Sequence, residues 1–310
     1  MRHRLEYAAV MAVRFVLGVL PHSIARGLGA LVGTAFYTFD RAHRRVALAN
    51  LEQSFPTRSP EELQTIARDM FRHFGRLLFE ILKFSTLSDA EMRRRVEFEG
   101  EDRARLAYSQ GRGVLFFTGH FGFWELHAIV HGLQLAPIGV LARALDNPHL
   151  NRLLEEVRTR TGNSVIYRQG AVRRVLKALN SGQGVAMLID QHMHSPDAIW
   201  VDFFERPAAT TSTLAALALR TGAPVVPVFA LPVAGGRYRM IYEHAVEPPG
   251  EGPDAIREFT QRCTDVLEMY VRRHPELWLW MHRRWRDAPV ADVKGMFPAI
   301  RAEEDADVSP

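Results

Sequence analysis

Two periodicities divide this chain. From Ser59 to Phe84, apolar residues fall at helical spacing (Ile66, Met70, Phe74, Leu77, Leu78, Ile81, Leu82) between charged ones. Ser59-Pro60-Glu61-Glu62 begins that helix with a capping serine, a proline at the first position and acids in the first turn. A short helix over Leu87–Arg95, a strand over Val96–Gly100 and a helix over Asp102–Ser109 follow. Val114 to Phe117 is an apolar β-forming run with Gly113 before it and Gly119 after it, the pattern of a buried strand ending in a tight turn. Beyond it, helices are predicted over Trp124–Leu133, Pro148–Thr161, Ala171–Ser181, Thr213–Thr221 and Ala255–Arg273. They alternate with strands over Ile138–Ala142, Val165–Ile166, Gly184–Ile189, Val225–Leu231 and Tyr238–Tyr242. This order predicts an α/β fold with a mixed, mostly parallel sheet flanked by helices. Ligands of such sheets sit at the carboxyl ends of the strands.

The amino terminus follows another rule. Tyr7 to Leu20 is apolar except for Arg14, and Pro21 separates it from a second weakly polar stretch, Ile24 to Phe39. Met1-Arg-His-Arg4 precedes the first run and Arg41-Ala-His-Arg-Arg45 follows the second. A small-x-small cleavage site is lacking and Arg14 interrupts the run, which argues against a secretory signal. The run is also short for a bilayer core of ~30 Å. Residues 1–45 are therefore expected to form an uncleaved helix or helical hairpin in the membrane surface, basic residues on the cytoplasmic side. A helical pair in a soluble core is the alternative. Residues 46–300 form the remaining domain, and the acidic tail 301–310 is expected to be disordered.

Composition narrows the function classes. Of 310 residues, 47% are hydrophobic, which excludes a disordered protein. The formal charge of +4 points to anionic lipids or acidic substrates. The single cysteine, Cys263, excludes an internal disulfide and lies within a predicted helix, where it reads as buried filler.

The candidate chemistry begins at the end of the Val114–Phe117 strand, in Gly119-His120-Phe-Gly122-Phe-Trp124-Glu125. Five residues along a helix turn through ~500°, so His120 and Glu125 meet only across a turn, with Glu125 in the first turn of the next helix. Gly119 and Gly122 give the backbone freedom for that turn. An imidazole whose far nitrogen is held by a carboxylate is a general base able to activate an alcohol toward an acyl group. The alternative is a buried histidine bonded to a carbonyl.

Asp190-Gln191-His192-Met-His194 follows another apolar strand. It reads either as a metal-binding D-x-H-x-H of a hydrolase or as a second carboxylate, Asp190, reaching the His120 pocket. Thr210-Thr211-Ser212-Thr213 enters a helix and could hold a phosphate or an oxyanion, or merely cap it. Trp278-Leu-Trp280-Met-His282-Arg283-Arg284-Trp285 interleaves aromatics with arginines. It suits an interfacial belt facing anionic head groups, with a solvated basic face over core tryptophans as the alternative. The sequence carries no RNA-binding signature, which speaks against nucleic acid. It also lacks a G-x-S-x-G elbow, a phosphate loop and a dinucleotide fingerprint.

Together these residues make the chain resemble the bacterial lipid A late (lauroyl/myristoyl) acyltransferases, within the H-x4-D/E glycerolipid acyltransferase-like superfamily. The matching residues are Gly119-His120-Phe-Gly-Phe-Trp-Glu125, Arg143 with Asp146-Asn147-Pro148, Arg158, Asp190-Gln191, Phe203-Phe204 with Ala208 to Thr211, Pro224 to Pro227, and Trp280 to Trp285. The resemblance implies transfer of a fatty acyl chain from acyl carrier protein, or coenzyme A, to a hydroxyl of a lipid A precursor at the cytoplasmic face of the inner membrane. No cofactor and no metal are implied. By position, His120 is the base and Glu125 its partner, with Arg158 and Asp190 completing the catalytic set. Arg143, Gly122, Trp124, Thr210, Thr211, Arg283 and Arg284 are the expected substrate contacts. Amides near Gly119–Gly122 or Arg158 would meet the oxyanion, and Phe121, Phe123, Trp124 and the Ile66–Phe84 helix would line an acyl channel. Another glycolipid or amino-acid lipid is the alternative acceptor. A metal-dependent hydrolase and a non-catalytic lipid-binding protein are the rival classes.

Overall fold

The computed structural model describes residues 1–195 and 198–286. In chain order the elements are α1 (Arg2–Val19), α2 (His22–Phe39), α3 (Arg41–Ser54), α4 (Pro60–Phe84), α5 (Asp89–Arg94), β1 (Val96–Glu99) and α6 (Glu101–Ser109). Then come β2 (Val114–Thr118), α7 (Trp124–Gln134), β3 (Ile138–Ala142), α8 (Pro148–Thr159), β4 (Ser164–Tyr167), α9 (Ala171–Asn180) and β5 (Gly184–Leu188). β6 (Ala198–Asp202), β7 (Pro207–Thr211), α10 (Thr213–Thr221), β8 (Val225–Val233), β9 (Arg237–Tyr242) and α11 (Ala255–Arg273) complete the described chain.

Seven strands form one sheet in the order β1-β9-β8-β2-β5-β3-β4. The five from β8 to β4 run parallel, and β9 turns antiparallel to β8. This is the mixed, mostly parallel sheet expected. β2 lies in its middle and is buried along its whole length. Leu115 and Phe117 join the hydrophobic cluster on one face, with α3, α4, α10 and α11; Val114 and Phe116 join the other, with α6 and α7. A strand covered on both sides is apolar along nearly its whole length, which is why Val114 to Phe117 shows no alternation.

Two elements escaped the sequence reading. β6 and β7 form a separate antiparallel hairpin whose turn places Phe204 and Glu205 at positive φ (56° and 59°) without glycine, so no turn signal marks it. The basic segment Arg41–Arg45 opens α3, capped by the Asp40 carboxylate on the His43 amide, so the expected boundary at residue 45 falls inside a helix.

The amino-terminal helices form as expected, but among the described residues no helix is long and apolar enough to cross a membrane. A spanning anchor is therefore not supported. Arg14 is tied to the end of α4, Nε donating to Ser85 Oγ at 2.8 Å and Nη2 to its carbonyl at 3.2 Å. Lys83 donates to the carbonyls of Gly18 and Leu20, satisfying the end of α1. α2 crosses α4 on glycine: a Cβ on Gly33 would lie 2.1 Å from the Phe71 carbonyl oxygen, and one on Gly75 would lie 2.3 Å from that of Gly29. The expected tail, 301–310, lies outside the described residues.

Candidate active site

β2 and β5 are parallel neighbours with Thr118 paired to Leu188. Each strand ends there, and two residues further on each carries a functional side chain, His120 and Asp190. Equal register therefore puts them side by side at the carboxyl edge of the sheet. His120 Nδ1 and Asp190 Oδ1 are 2.8 Å apart, and the His120 backbone amide donates to Oδ2 at 2.7 Å. Trp278 Nε1 also donates to Oδ2, at 2.9 Å. The carboxylate is buried and the imidazole nearly so, its side chain 17% exposed. Its Nε2 has Gln191 Nε2 at 3.4 Å, and Trp124 lies against the ring at 5.2 Å between centroids.

Burial raises the Asp190 pKa, but the charge and bonds of His120, with the Trp278 indole, outweigh it and hold the carboxyl down at about 2. Burial also disfavours a charged His120. The Asp190 charge, its hydrogen bond and the more distant Glu125 charge overcome that and raise the imidazole above its ordinary range. A neutral ring in this setting keeps its proton on Nδ1, facing Asp190, and offers the Nε2 lone pair outward.

The pairing expected from spacing is thereby corrected. Glu125 does lie in the first turn of α7, but it does not hold His120. Its oxygens receive a bidentate pair from Arg158, Nη2 at 2.5 Å and Nε at 2.8 Å, both side chains about a tenth exposed. The turn that separates the two residues explains it. Gly122 adopts φ +56°, and a Cβ there would meet the Ala230 carbonyl oxygen at 2.2 Å. That turn aims α7 toward α8, where Arg158 sits.

Several expected substrate contacts are already committed elsewhere. The Gly122 amide donates to the Leu277 carbonyl at 2.9 Å, and its own carbonyl meets His73 Nε2 at 3.1 Å. The amides of His120 and Phe123 are likewise used, by Asp190 and the Ala230 carbonyl, so these loop amides are not spare oxyanion donors. Thr210 is buried on β7; its hydroxyl donates to the Ala208 carbonyl and accepts from Arg284. Thr211 and Thr213 share a hydrogen bond of 3.0 Å. Arg284 is fully buried and donates to the Ala209 carbonyl at 2.6 Å, burial pulling it down to about 10. Arg283 beside it is exposed, and Arg143 is exposed with Asp146 3.5 Å away. Phe121 and Phe123 are core residues, packed on Phe229 and Tyr270 and on Phe84 and Tyr238. Neither the cavity between α2 and α4 nor the one between α4 and the β8–β9 end, which Glu276 and Leu277 also line, touches His120.

The tryptophans are corrected as well. Trp278, Trp280 and Trp285 are buried rather than arrayed in an interfacial belt, each indole finding an acceptor: Asp190, the Pro275 carbonyl and the Phe203 carbonyl. Sequence reasoning missed the hold of Trp278 on Asp190. It also missed His73, the buried imidazole beneath the Gly122 turn. The only available signal was that a buried indole or imidazole must find a partner.

His192 and His194 lie ring against ring, 4.4 Å between centroids, but Asp190 does not join them. Asp190 spends its oxygens on His120 and Trp278, while the His192 amide donates to His282 Nε2 at 3.0 Å. Among the described residues no group of three His, Cys, Asp or Glu is placed to hold a metal. Cys263 is buried, its thiol pushed up to about 12 by burial, as its place in α11 suggested.

Comparison with known proteins agrees with this frame. The profile of the family described as bacterial lipid A biosynthesis acyltransferase matches residues 1–287. The lipid A biosynthesis palmitoleoyltransferase of Escherichia coli (strain K12) is 30% identical over 290 residues, covering 90% of this chain and 92% of that protein. The lipid A biosynthesis lauroyltransferase of the same organism is 28% identical, covering 90% of each chain. The phosphatidylinositol mannoside acyltransferase of Mycolicibacterium smegmatis (strain ATCC 700084 / mc(2)155) is 21% identical, covering 86% of each. With its match to the family running through all the described residues, the chain belongs to the bacterial lipid A biosynthesis acyltransferase family and is an enzyme of the acyltransferase type.

Proposed function

We propose that this enzyme moves a fatty acyl chain from an acyl thioester, with acyl carrier protein as the donor's carrier, onto a hydroxyl of a lipid A precursor. The observation that carries the reading is the His120–Asp190 pair at the carboxyl edge of the sheet, with Nε2 turned away from its carboxylate. In the proposed step, Nε2 takes the proton of the acceptor hydroxyl as its oxygen attacks the thioester carbonyl. The carbonyl electrons move onto oxygen, then return as the carbon–sulfur bond breaks. The imidazolium hands its proton to the departing thiolate, which leaves as thiol. Asp190 stabilises the imidazolium and fixes the ring. Arg158, held rigid by Glu125, is the proposed cationic neighbour of the developing oxyanion.

The amino-terminal helices support action at a membrane surface, the proposed site being the cytoplasmic face of the inner membrane. Between Ala8 and Phe39 none of the exposed residues is charged, and the set includes Phe15, Val19, Leu31, Phe36 and Phe39, the last 81% exposed. A contiguous apolar surface of this kind is uncommon on a soluble monomer. Exposed Arg2, Arg4, Arg41 and Arg45 flank it, which suits a helical hairpin lying on anionic lipid rather than through it. The mycobacterial relative, named for a mannoside substrate, favours a second reading in which the acceptor is another glycolipid.

The test is transfer by the purified protein from an acyl thioester to a lipid A precursor, followed by mass spectrometry of the lipid. His120→Ala is expected to lower the rate by about 10²–10⁴-fold with the fold retained. Undiminished transfer by that folded variant would contradict the mechanism.

A further inference from the structure

Between α2 and α4 lies a surface cavity of about 520 Å³, lined by Arg26, Gly27, Ala30, Leu31, Thr34, Arg72 and Arg76. Its own lining holds three arginines and no carboxylate, while Arg26 and Arg76 also border a second cavity that contains Asp69, Glu80 and Glu276. Arg26 leans on Glu80 at 3.1 Å and Arg72 on Asp69 at 3.4 Å, so two of the cations are partly compensated from outside the cavity. Arg76 is different. It is half-buried, one turn beyond Arg72 on α4, and among the described residues it makes neither a hydrogen bond nor an ion pair. Burial, and then the like charges of Arg72 and Arg26, pull its guanidinium below the usual range and outweigh the opposing charges of Glu80 and Asp69. A cation so placed is held at a free-energy cost that an incoming anion would remove.

We infer that this cavity is a binding site for the phosphate of a lipid head group. Three guanidinium forks facing one hollow suit a phosphate, whose several oxygens can each accept from a separate planar donor. Gly27 and Ala30 leave the α2 wall without bulk, so an anion can reach the arginines. The rim separates a lipid from a free ion. Leu31 is 67% exposed at the mouth, and Leu28, Phe36 and Phe39 continue an apolar surface along the same helix. A free anion has no use for that surface, whereas the acyl chains of a phospholipid would lie along it. The site shares no residue with the His120–Asp190 pair, and the inference does not rest on the acyl-transfer reading.

The experiment is a calorimetric titration of the full chain with dihexanoyl phosphatidic acid below its micelle concentration, with inorganic phosphate in a parallel arm. Arg72→Gln/Arg76→Gln is expected to weaken lipid binding at least tenfold. Arg173→Gln/Arg220→Gln, which removes the same charge from exposed positions on α9 and α10, should leave it unchanged. Arg76→Lys keeps the charge, and with it the fold, but loses the fork; a several-fold loss is expected with an unaltered circular dichroism spectrum. Inorganic phosphate should bind at least tenfold more weakly than the lipid. Equal binding by the double variant and the parent, or equal weakening by the control pair, overturns the site. Phosphate held as tightly as the lipid overturns the lipid occupant.

Discussion

Asp190 receives three donors, the His120 ring, the His120 amide and the Trp278 indole, and this is what fixes the imidazole in place. The carboxylate was visible in the sequence as the residue after an apolar strand, and its approach to His120 followed from adjacent strand ends. Its precedence over Glu125 was not visible, because H-x4-E spacing says nothing of where α7 points after the Gly122 turn. Glu125 acts on His120 only through its charge and spends its hydrogen bonds on Arg158. Breaking a buried pair strands the remaining charge, at a cost of about 3–5 kcal/mol. Glu125→Gln is accordingly expected to lower stability in urea denaturation, and Glu125→Gln/Arg158→Met to recover part of the loss. A Glu125→Gln protein as stable as the parent would show the pair to be idle.

At the scale of elements, helices and strands with strong periodicity were legible to within a few residues. Ser59 and Glu62 form the reciprocal capping box that the α4 start signature implies. The β6–β7 hairpin was not legible: β6 carries a short β-forming run, Ile199-Trp200-Val201, but β7 is small alanines and threonines with no strand pattern, and the turn between them uses no glycine. The Gly29-x-x-x-Gly33 spacing in α2 was present but unread; it matters because it meets Gly75 of α4 at backbone contact. Gly33→Ala would force the helices apart, an overpacking cost of about 1–3 kcal/mol measurable as a lowered urea midpoint. An unchanged midpoint would mean that the crossing relaxes freely.

At the scale of the whole molecule, the buried imidazoles of His73, His127 and His131 are kept neutral inside the fold. Burial lowers His73 to about 4 and His127 to about 3, and burial together with the His127 charge lowers His131 well below its ordinary value. His127, His131 and Tyr242 are joined by hydrogen bonds of 2.9 Å beneath β2, with Tyr108 3.2 Å from His131. The unfolded chain takes up these protons below about pH 6.5 and the folded one does not, so stability is full above that value and falls as pH drops. At pH 5 the loss is about 2 kcal/mol each for His73 and His127, and His131 adds to it in the same direction. Asp190, depressed to about 2, adds a further loss only below its ordinary value of 3.8. Urea midpoints at pH 7.5 and 5 measure the histidine effect, and substituting His127 with Phe should flatten the slope.

Acyl transfer as a function of pH tests the central claim, a base in His120 governed by Asp190, most directly. With Asp190 in place, kcat/KM should fall on the acid side through a pKa above 6.5, since the ring must be neutral to accept a proton. Asp190→Asn removes the charge that raises the ring and leaves burial to lower it. The acid limb should therefore move to lower pH, while the plateau rate drops by roughly 10³–10⁴-fold as the ring loses its orientation. An acid limb that stays where it was, with the rate preserved, would contradict the account.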